Sequence, residues 1–488
     1  MIDLVVKKKN EALIRVECER HLAQELHEYF SFMVPGYQFT PAFKNKLWNG
    51  KIYLFNLQTN TIYYGLLPYL EKFCAERNYK IFIDSSITLT DNFSVKEALD
   101  FIETLGIPEH LEQREYQLTS FIHAIRNHRV LLLSPTSSGK SFILYLIIRY
   151  IQTQCKKGLL IVPRTSLAEQ MFSDFASYGY DSEQYCHRQY AGKDKHTDKF
   201  LTITTWQSIY TMPPEYFEQF DFVLGDEAHD FKAKSLMTIM AALENTKYRI
   251  GCTGTLDGTK THKLVLEGLF GPVLKVTTTK ELMDDNHIAD FRIKCLTLKY
   301  PEDVCKLSRS WDYQAEMEYI VSNPHRNAFI KNLTLSLKGN TLILFQLVEK
   351  HGKKLHALID AEAKGRKVFF VHGGTDVDVR EGIRAITEKE IDAVIVASYG
   401  TFSTGINIKN LHNVIFASPS KSRIRNLQSI GRGLRKGDNK TEAVLFDISD
   451  DFRTGKHVNF TLKHFVERVK MYEEEKFKYK FYNIDLKT

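Results

Sequence analysis

Short runs of apolar residues alternate with helical patterns along most of the chain beyond residue 106. A first set of runs comprises Arg129–Leu133, Gly158–Val162, Leu201–Thr204, Phe222–Leu224 and Tyr248–Cys252. A second set comprises Thr341–Phe345, Lys367–Val371, Ala393–Ala397, Val414–Ala417 and Ala443–Phe446. Strands that alternate with helices are typical of a parallel sheet with helices on both faces. The pattern therefore predicts two α/β domains in tandem, joined between Thr277 and Asp290.

The two ends of the chain have a different pattern. Residues 1–88 contain many aromatic residues, a helical stretch at His21–Phe30 and turn signals at Pro35-Gly36 and Asn49-Gly50, which predict a small α+β module. Residues 89–280 and 281–450 form the two α/β domains, and residues 451–488 are predicted to be a basic helical extension. The segment 43–51 interleaves aromatic and basic residues, which suits either base stacking and phosphate contacts or an ordinary aromatic core.

Length and charge narrow the possible functions. The 488 residues are 43% hydrophobic and 26% charged, a composition that allows about three globular domains. The longest apolar run, Phe142–Ile151, is interrupted by Arg149, so no membrane span is expected. The first residues do not resemble a signal peptide and the seven cysteines form no CxxC pair, which favours a reduced cytoplasmic protein without a zinc site. The net charge is +7, and the segment 421–488 holds 16 of the 66 basic and 10 of the 59 acidic residues, as expected for either a polyanion-binding surface or a solvated charged helix.

A phosphate-binding loop follows the first strand of the first α/β domain. The strand Val130–Leu133 leads into a loop and then a helix, the context in which main-chain N–H groups and a helix N-terminus wrap phosphates. The loop consists of Ser134, Pro135, Thr136, Ser137, Ser138, Gly139, Lys140 and Ser141. Lys140 is expected to reach the β- and γ-phosphates of ATP, and Ser141 is expected to hold Mg²⁺. Ser134 replaces the first glycine of the usual pattern.

Two further groups of residues suit phosphoryl transfer. Asp226 and Glu227 follow the strand Phe222–Leu224, at the end of a parallel strand where such sheets bind ligands. We expect Asp226 to hold Mg²⁺ and Glu227 to orient and deprotonate the attacking water. The second α/β domain has no phosphate loop of its own, but Arg432 and Arg435 lie at i and i+3 and can act as arginine fingers on the γ-phosphate.

In this order the motifs resemble those of superfamily 2 helicases over residues 110–447. The resemblance implies two RecA-like motor domains with ATP between them. It also implies a role for each matching residue: adenine recognition by Arg114 and Gln117, strand contacts by Arg164, Thr165, Thr205, Gln207, Ser398 and Thr401, coupling by His229, Thr253, Gly254 and Thr255, and nucleotide contacts by Gly405, Gln428, Arg432 and Arg435.

Within this superfamily both ends of the chain resemble the UvsW helicases of T4-like bacteriophages. The similarity lies in Gly36–Phe39, Trp48–Ile52 and the Glu475–Phe477 tail. It implies ATP-driven remodelling of branched DNA, including forks, junctions, D-loops and R-loops. An RNA-directed superfamily 2 helicase is the alternative, because only the two ends of the chain argue for DNA. Partners are expected to be branched DNA and the RNA of R-loops, with a monomer favoured. The N-terminal module is expected to bind duplex, bind a protein or brace the motor.

Overall fold

The computed structural model describes residues 2–87, 90–109, 111–190, 192, 194–403, 408, 410–422, 426–427, 429–431 and 442–486. The chain divides into two compact units. One comprises residues 1–134 and 139–276, and the other comprises residues 135–138 and 277–488. In the described part of the chain, no helix is long and apolar enough to cross a membrane.

The N-terminal module is a mixed sheet with helices packed against it. Its strands are β1 (Leu4–Lys8), β2 (Leu13–Cys18), β3 (Ser31–Met33), β4 (Lys51–Tyr53), β5 (Phe55–Asn56), β6 (Thr61–Tyr63) and β7 (Ile81–Ile83). Its helices are α1 (Arg20–Tyr29), α2 (Pro41–Lys44) and α3 (Leu67–Arg77). The strand order is β5-β6-β2-β1-β7, and β3 and β4 form a separate hairpin. The module is therefore α+β, as the sequence predicts.

The first α/β sheet has seven strands in the order β10-β11-β9-β12-β13-β8-β14, all parallel. These are β8 (Arg129–Leu133), β9 (Gly158–Val162), β10 (Cys186–Gln189), β11 (Leu201–Thr205), β12 (Phe222–Asp226), β13 (Tyr248–Thr253) and β14 (Val273–Lys275). The helices are α4 (Val95–Glu103), α5 (Glu115–Asn127), α6 (Lys140–Ile151), α7 (Thr165–Ser177), α8 (Ser182–Tyr185), α9 (Trp206–Ile209), α10 (Pro214–Glu218), α11 (Lys234–Ala242) and α12 (Lys260–Phe270). Strands β8, β9, β11, β12 and β13 are buried almost throughout, because helices cover both faces of a parallel sheet.

The second α/β sheet also has seven parallel strands, in the order β17-β18-β16-β19-β20-β15-β21. These are β15 (Asp290–Lys299), β16 (Thr341–Phe345), β17 (Val368–Val371), β18 (Val394–Ser398), β19 (Asn413–Phe416), β20 (Glu442–Asp451) and β21 (Lys478–Asp485). The helices are α13 (Thr279–Asp284), α14 (Glu302–Leu307), α15 (Tyr313–Ser322), α16 (Pro324–Ser336), α17 (Lys353–Asp360), α18 (Val377–Lys389), α19 (Tyr399–Ser403) and α20 (Phe460–Glu474). Two RecA-like parallel sheets and an N-terminal mixed sheet confirm the predicted fold class.

The prediction of a purely helical C-terminal extension is wrong. Helix α20 is followed by β21, which pairs in parallel with β15 at the edge of the second sheet. Polar and aromatic residues alternate in Lys478–Phe481, which is the period of a strand, and the strand is exposed because it lies at the sheet edge. The charged run Glu473–Lys476, at the end of α20, favours a helix. The sequence therefore does not show clearly that the helical pattern ends before the strand.

The N-terminal module and the first α/β sheet share one hydrophobic core. Leu66, Leu70 and Phe73 of the module belong to the same buried cluster as Leu266 and Phe270 of α12. Gly65 lies so close to α12 that a Cβ atom there would be 2.0 Å from the carbonyl oxygen of Glu267. The module therefore packs firmly on the first α/β sheet, and the three roles that the sequence leaves open for it stay predictions.

Candidate active site

The phosphate loop connects β8 to α6, as the sequence predicts. Gly139 has φ +79°, a left-handed conformation that glycine adopts readily, and it directly precedes the first turn of α6. The side chain of Gln117 packs against Gly139 so closely that a Cβ atom there would lie 2.4 Å from Nε2. Ser138 Oγ donates to the carbonyl of Pro135 at 2.7 Å, and the Ser134 N–H donates to Thr253 O at 2.8 Å. The first bond lies within the loop, and the second joins the end of β8 to the end of β13.

Lys140, Asp226 and Glu227 meet at the carboxyl ends of β8 and β12. Lys140 Nζ lies 3.4 Å from Glu227 Oε1, and all three side chains are mostly buried. Asp226 Oδ1 is buried and accepts no hydrogen bond from a described residue. A buried carboxylate oxygen without a donor is destabilised unless a cation or water approaches it. The site therefore suits a positively charged ligand next to Asp226.

Burial and mutual charge set the ionisation of these three groups. Burial raises the pKa of the Asp226 carboxyl, and the neighbouring Glu227 charge raises it further. Burial also opposes ionisation of Glu227, but the Lys140 ammonium and His229 outweigh it and hold the Glu227 pKa below its usual value. Burial lowers the pKa of Lys140, whereas Glu227 and Asp226 together raise it above its usual value. The structure thus keeps Lys140 charged and Glu227 in its basic form.

Glu227 has an unusual main-chain conformation. Its φ of 48° lies in the left-handed region, which residues other than glycine seldom adopt. Such conformations cost roughly 1–3 kcal/mol and concentrate at functional sites. The turn directs the chain from β12 into the short helical segment Ala228–Lys232, so that Asp226 and Glu227 both remain at the end of the strand.

A hydrogen-bonded network links His229, which lies beside Glu227, to the Thr253–Thr255 segment. Thr253 Oγ1 donates to the carbonyl of Thr255 at 3.0 Å and therefore accepts from His229 Nδ1 at 2.9 Å. The same His229 nitrogen lies 3.4 Å from Glu227 Oε2. Gly254 lies between the two threonines, where β13 ends. The structure thus brings together all four residues for which the sequence predicts a coupling role.

The residues predicted to read adenine lie at the start of α5. The main-chain N–H of Arg114 donates to Gln117 Oε1 at 3.0 Å, which fixes the amide of the buried Gln117. Arg114 also donates from its guanidinium to Tyr116 Oη at 2.6 Å. Because Gln117 packs on Gly139, this segment lies beside the phosphate loop.

The residues predicted to contact nucleic acid fall into two groups. Arg164 and Thr165 are exposed where α7 begins, and Gln207 is exposed on α9. The other three are buried and satisfied within the protein: Thr205 Oγ1 bonds Ser208 Oγ at 2.9 Å, and Ser398 Oγ bonds Thr401 Oγ1 at 2.8 Å. The predicted residues Gly405, Gln428, Arg432 and Arg435 lie outside the described residues.

Sequence reasoning missed two residues that lie beside the turn after Glu227. His262, in the first turn of α12, is buried and its Nε2 lies 2.9 Å from the carbonyl of His229. Asp257 lies beside the other ring nitrogen, with Oδ1 2.8 Å from Nδ1. A ring that bonds a main-chain carbonyl leaves no spacing pattern, so no sequence signal marks this pair. In the described part of the chain, no cluster of three His, Cys, Asp or Glu residues could hold a metal ion.

Three family models match consecutive parts of the chain. Residues 3–84 match the N-terminal domain of DNA helicase UvsW. Residues 107–258 match the res subunit of type III restriction enzymes, and residues 325–437 match the conserved C-terminal domain of helicases. The matches cover the N-terminal module and most of both α/β units.

Individual relatives agree with these matches. The ATP-dependent DNA helicase uvsW of Enterobacteria phage T4 is 34% identical, over 99% of this chain and 100% of the relative. The DNA 3′-5′ translocase XPB2 of Sulfurisphaera tokodaii is 23% identical, over 76% of this chain and 87% of that protein. The crystal structure of T4 UvsW has a TM-score of 0.53 and 32% sequence identity, with full coverage of both chains. The chain therefore belongs to the UvsW family of ATP-dependent DNA helicases.

Proposed function

We propose that this chain is an ATP-driven motor that remodels branched DNA, regressing forks, migrating junctions and unwinding D-loops and R-loops. The main observation in favour of an ATP-driven motor is that Lys140, Asp226 and Glu227 lie together at the ends of two strands of one sheet. DNA is favoured over RNA as substrate because the UvsW N-terminal model matches residues 3–84, where the sequence argued for DNA. The chain supplies both motor sheets by itself, which supports a monomer.

The hydrolytic chemistry follows from the positions of the side chains. Lys140 binds the β- and γ-phosphates, and Glu227 orients the attacking water and removes its proton. Asp226 fits Mg²⁺, because the ion prefers oxygen ligands and Asp226 Oδ1 has no other partner among the described residues. Ser141 Oγ bonds Tyr178 Oη at 2.9 Å and would exchange this partner for the ion. When bound, Mg²⁺ neutralises developing charge on the phosphate oxygens. Arg432 and Arg435 contribute arginine fingers and Gln428 assists them.

Exchange of Lys140 for Ala is expected to weaken nucleotide binding, because a charge-assisted contact to phosphate contributes about 1.5–3 kcal/mol. Isothermal titration with a non-hydrolysable ATP analogue measures this loss. Lys156→Ala, at an exposed lysine before β9, is the matched control and should bind the analogue like the wild type. Equal affinity for both variants would contradict the role given to Lys140.

DNA strand contacts are proposed for the exposed group, Arg164, Thr165 and Gln207. They lie on α7 and α9, the helices that follow β9 and β11 in the first motor sheet. Thr205, Ser398 and Thr401 contribute by shaping the strand ends, since their hydroxyls bond neighbouring side chains. Contacts of this kind go mainly to phosphates, which predicts little sequence specificity.

The N-terminal module contributes a surface for the branch point. The segment between β3 and β4 exposes Phe39 and Leu47, at 78% and 82% exposure, together with Lys44 and Lys46. Exposed aromatic side chains stack on unpaired bases, and lysines neutralise phosphates. Because the module shares its core with the first motor sheet, DNA bound here moves with that sheet. A junction supplies both unpaired bases and duplex arms to such a surface.

The double exchange Lys44→Ala/Lys46→Ala tests this surface. We expect weaker binding to a model fork. The slope of log Kd against the logarithm of the salt concentration should fall by about 1 for each lysine that contacts phosphate. Fluorescence anisotropy over a range of NaCl concentrations measures both. The control Lys7→Ala/Lys72→Ala removes two lysines of the same module that already pair with Glu17 and Glu76. If both double variants bind the fork alike, the segment between β3 and β4 does not contact DNA.

A further inference from the structure

Helix α12 begins directly after the Thr253–Thr255 segment, and its first turn is tightly fixed. Asp257 Oδ1 accepts from the main-chain N–H and the hydroxyl of Thr259, at 2.9 and 2.8 Å. Thr259 Oγ1 in turn accepts from the N–H of His262 at 3.2 Å, capping the helix. The imidazole of His262 is thereby held in one orientation inside the protein.

The His262 ring joins this turn to the main chain at His229. A carbonyl oxygen only accepts, so Nε2 of His262 carries the proton that is donated to His229 O, at 2.9 Å. On the other side of the ring, Nδ1 lies 2.8 Å from Asp257 Oδ1 and 3.2 Å from the Asp257 N–H, so both possible protonation states of Nδ1 find a partner. His229 itself bonds Thr253 and lies beside Glu227. His262 therefore fixes the main chain at His229, two residues after Glu227.

The same helix is attached to the N-terminal module at both ends. Near its start, Lys260 Nζ lies 5.3 Å from the ring centre of Phe32, in the strand that leads into the exposed segment between β3 and β4. Near its end, the buried Glu267 accepts a hydrogen bond from Tyr69 Oη at 2.6 Å. The close approach of Gly65 to the Glu267 carbonyl leaves no space for α12 to slide. A displacement of the module must therefore move α12, whose 11 residues span about 16 Å.

We propose that His262 is a positioning residue through which α12 ties the N-terminal module to the hydrolytic carboxylate. The inference rests on the proposed function, since it takes the module as the part that contacts branched DNA. When the module is seated on DNA, α12 holds the His229 carbonyl through His262, and Glu227 is held where it activates water. Nucleotide binding depends on Lys140 and does not require this contact. The structure thus assigns His262 to the DNA-stimulated rate and not to ATP affinity.

Two substitutions distinguish the loss of the His262–His229 hydrogen bond from the loss of the ring's volume. His262→Leu keeps an apolar side chain in the buried site and removes both ring nitrogens, whereas His262→Gln retains an N–H donor at the position of Nε2. His187→Leu is the matched control, because His187 Nε2 also bonds a main-chain carbonyl, Asp194 O at 2.8 Å, but on the edge strand β10. Each variant is measured as the full chain for kcat and KM of ATP, without DNA and with saturating fork, and for fork affinity and thermal stability.

We expect His262→Leu to lower the fork-stimulated kcat by about 10- to 100-fold, the loss typical of a misplaced catalytic group. Its KM for ATP and its fork affinity should stay near the wild-type values, and His262→Gln should recover most of the rate. Wild-type rates for His262→Leu, or a His262→Gln variant as slow as His262→Leu and equally stable, would overturn the inference. If the wild type binds the fork but is not stimulated by it, the proposed function fails as well.

A second variant on the module side keeps the test decisive if His262→Leu does not fold. Tyr69→Phe removes only the hydroxyl that bonds Glu267 at the far end of α12. We expect it to reduce the stimulation of kcat by the fork and to leave hydrolysis without DNA unchanged. Full stimulation of kcat by the fork in Tyr69→Phe would overturn the role of α12.

Discussion

Glu227→Gln is expected to lower kcat for ATP by about 10²–10⁴-fold, the usual contribution of a positioned general base. The amide keeps the size of the side chain and its place at the end of β12, but it cannot accept the proton of the attacking water. Lys140 loses its charged neighbour at 3.4 Å and is free to bind phosphate, so ATP affinity should be retained or increased. Single-turnover hydrolysis and binding of labelled ATP separate the two effects.

The matched control for this exchange is Asp230→Asn. Asp230 lies in the same turn as Glu227 and pairs with His229 Nε2 at 3.6 Å, but its side chain is 52% exposed. Its turnover should remain close to that of the wild type. Normal turnover in Glu227→Gln would show that another group activates the water, and the assignment of Glu227 would be wrong.

The second large effect is expected at Glu11, in the N-terminal module. Its Oε2 accepts from Arg129 of β8 at 2.6 Å, and Arg129 stacks on Tyr64 with its guanidinium 4.1 Å from the ring centre. Behind it, the fully buried Arg249 of β13 bonds only main-chain carbonyls among the described residues, those of Leu269, Leu243 and Met240. Burial, and after it the charge of Arg129, lower the pKa of Arg249 to about 9, although the Glu11 carboxylate opposes both effects. Glu11 thus supplies the nearest negative charge to two buried guanidinium groups.

Glu11→Gln is therefore expected to destabilise the first unit by about 3–5 kcal/mol, the cost of leaving a buried charge without its partner. Urea titration with hydrogen–deuterium exchange of the β8 and β13 peptides measures the loss in the full chain. Glu17→Gln is the control: Glu17 pairs with Lys7 on the neighbouring strand at 2.8 Å, but both side chains are about half exposed. An exposed pair contributes at most about 1 kcal/mol. Equal destabilisation by both exchanges would mean that Glu11 has no special role between module and sheet.

The central strands could be predicted from the sequence because each is a buried run between helices. Strands β8, β9 and β16 have the predicted bounds, and the core strands beside them differ by a few residues at their ends. The edge strands β10, β14 and β21 were missed, because they are short or exposed and so lack a continuous apolar run. Strand β15 was missed for another reason. It begins at Asp290, where the predicted linker ends. Its first residues alternate polar with apolar and so form no continuous apolar run.

The candidate active site also has one part that the sequence predicts and another that it does not. The meeting of Lys140, Asp226 and Glu227 could be predicted because they lie at or beyond the carboxyl ends of parallel strands, and such ends share one edge of the sheet. The pairs Glu11–Arg129 and Tyr69–Glu267 are separated by 118 and 198 residues, and no local pattern announces either of them. His262 is missed because its partner is a main-chain carbonyl. The sequence thus predicts groups of residues that follow neighbouring strands, whereas the contacts that attach the module to the first motor sheet are seen only in the structure.

The central claim is that ATP hydrolysis at this site drives the remodelling of branched DNA. The most direct measurement follows a fluorescently labelled model fork as its nascent arms anneal, with wild-type chain and with Glu227→Gln, in the presence and absence of ATP and Mg²⁺. Steady-state hydrolysis is measured in parallel with fork, linear duplex, single strand and RNA of matched length. We predict ATP-dependent fork regression by the wild type, none by Glu227→Gln, and the strongest stimulation of hydrolysis by the fork. An intact ATPase that leaves the fork unchanged, or that responds best to RNA, would contradict the account.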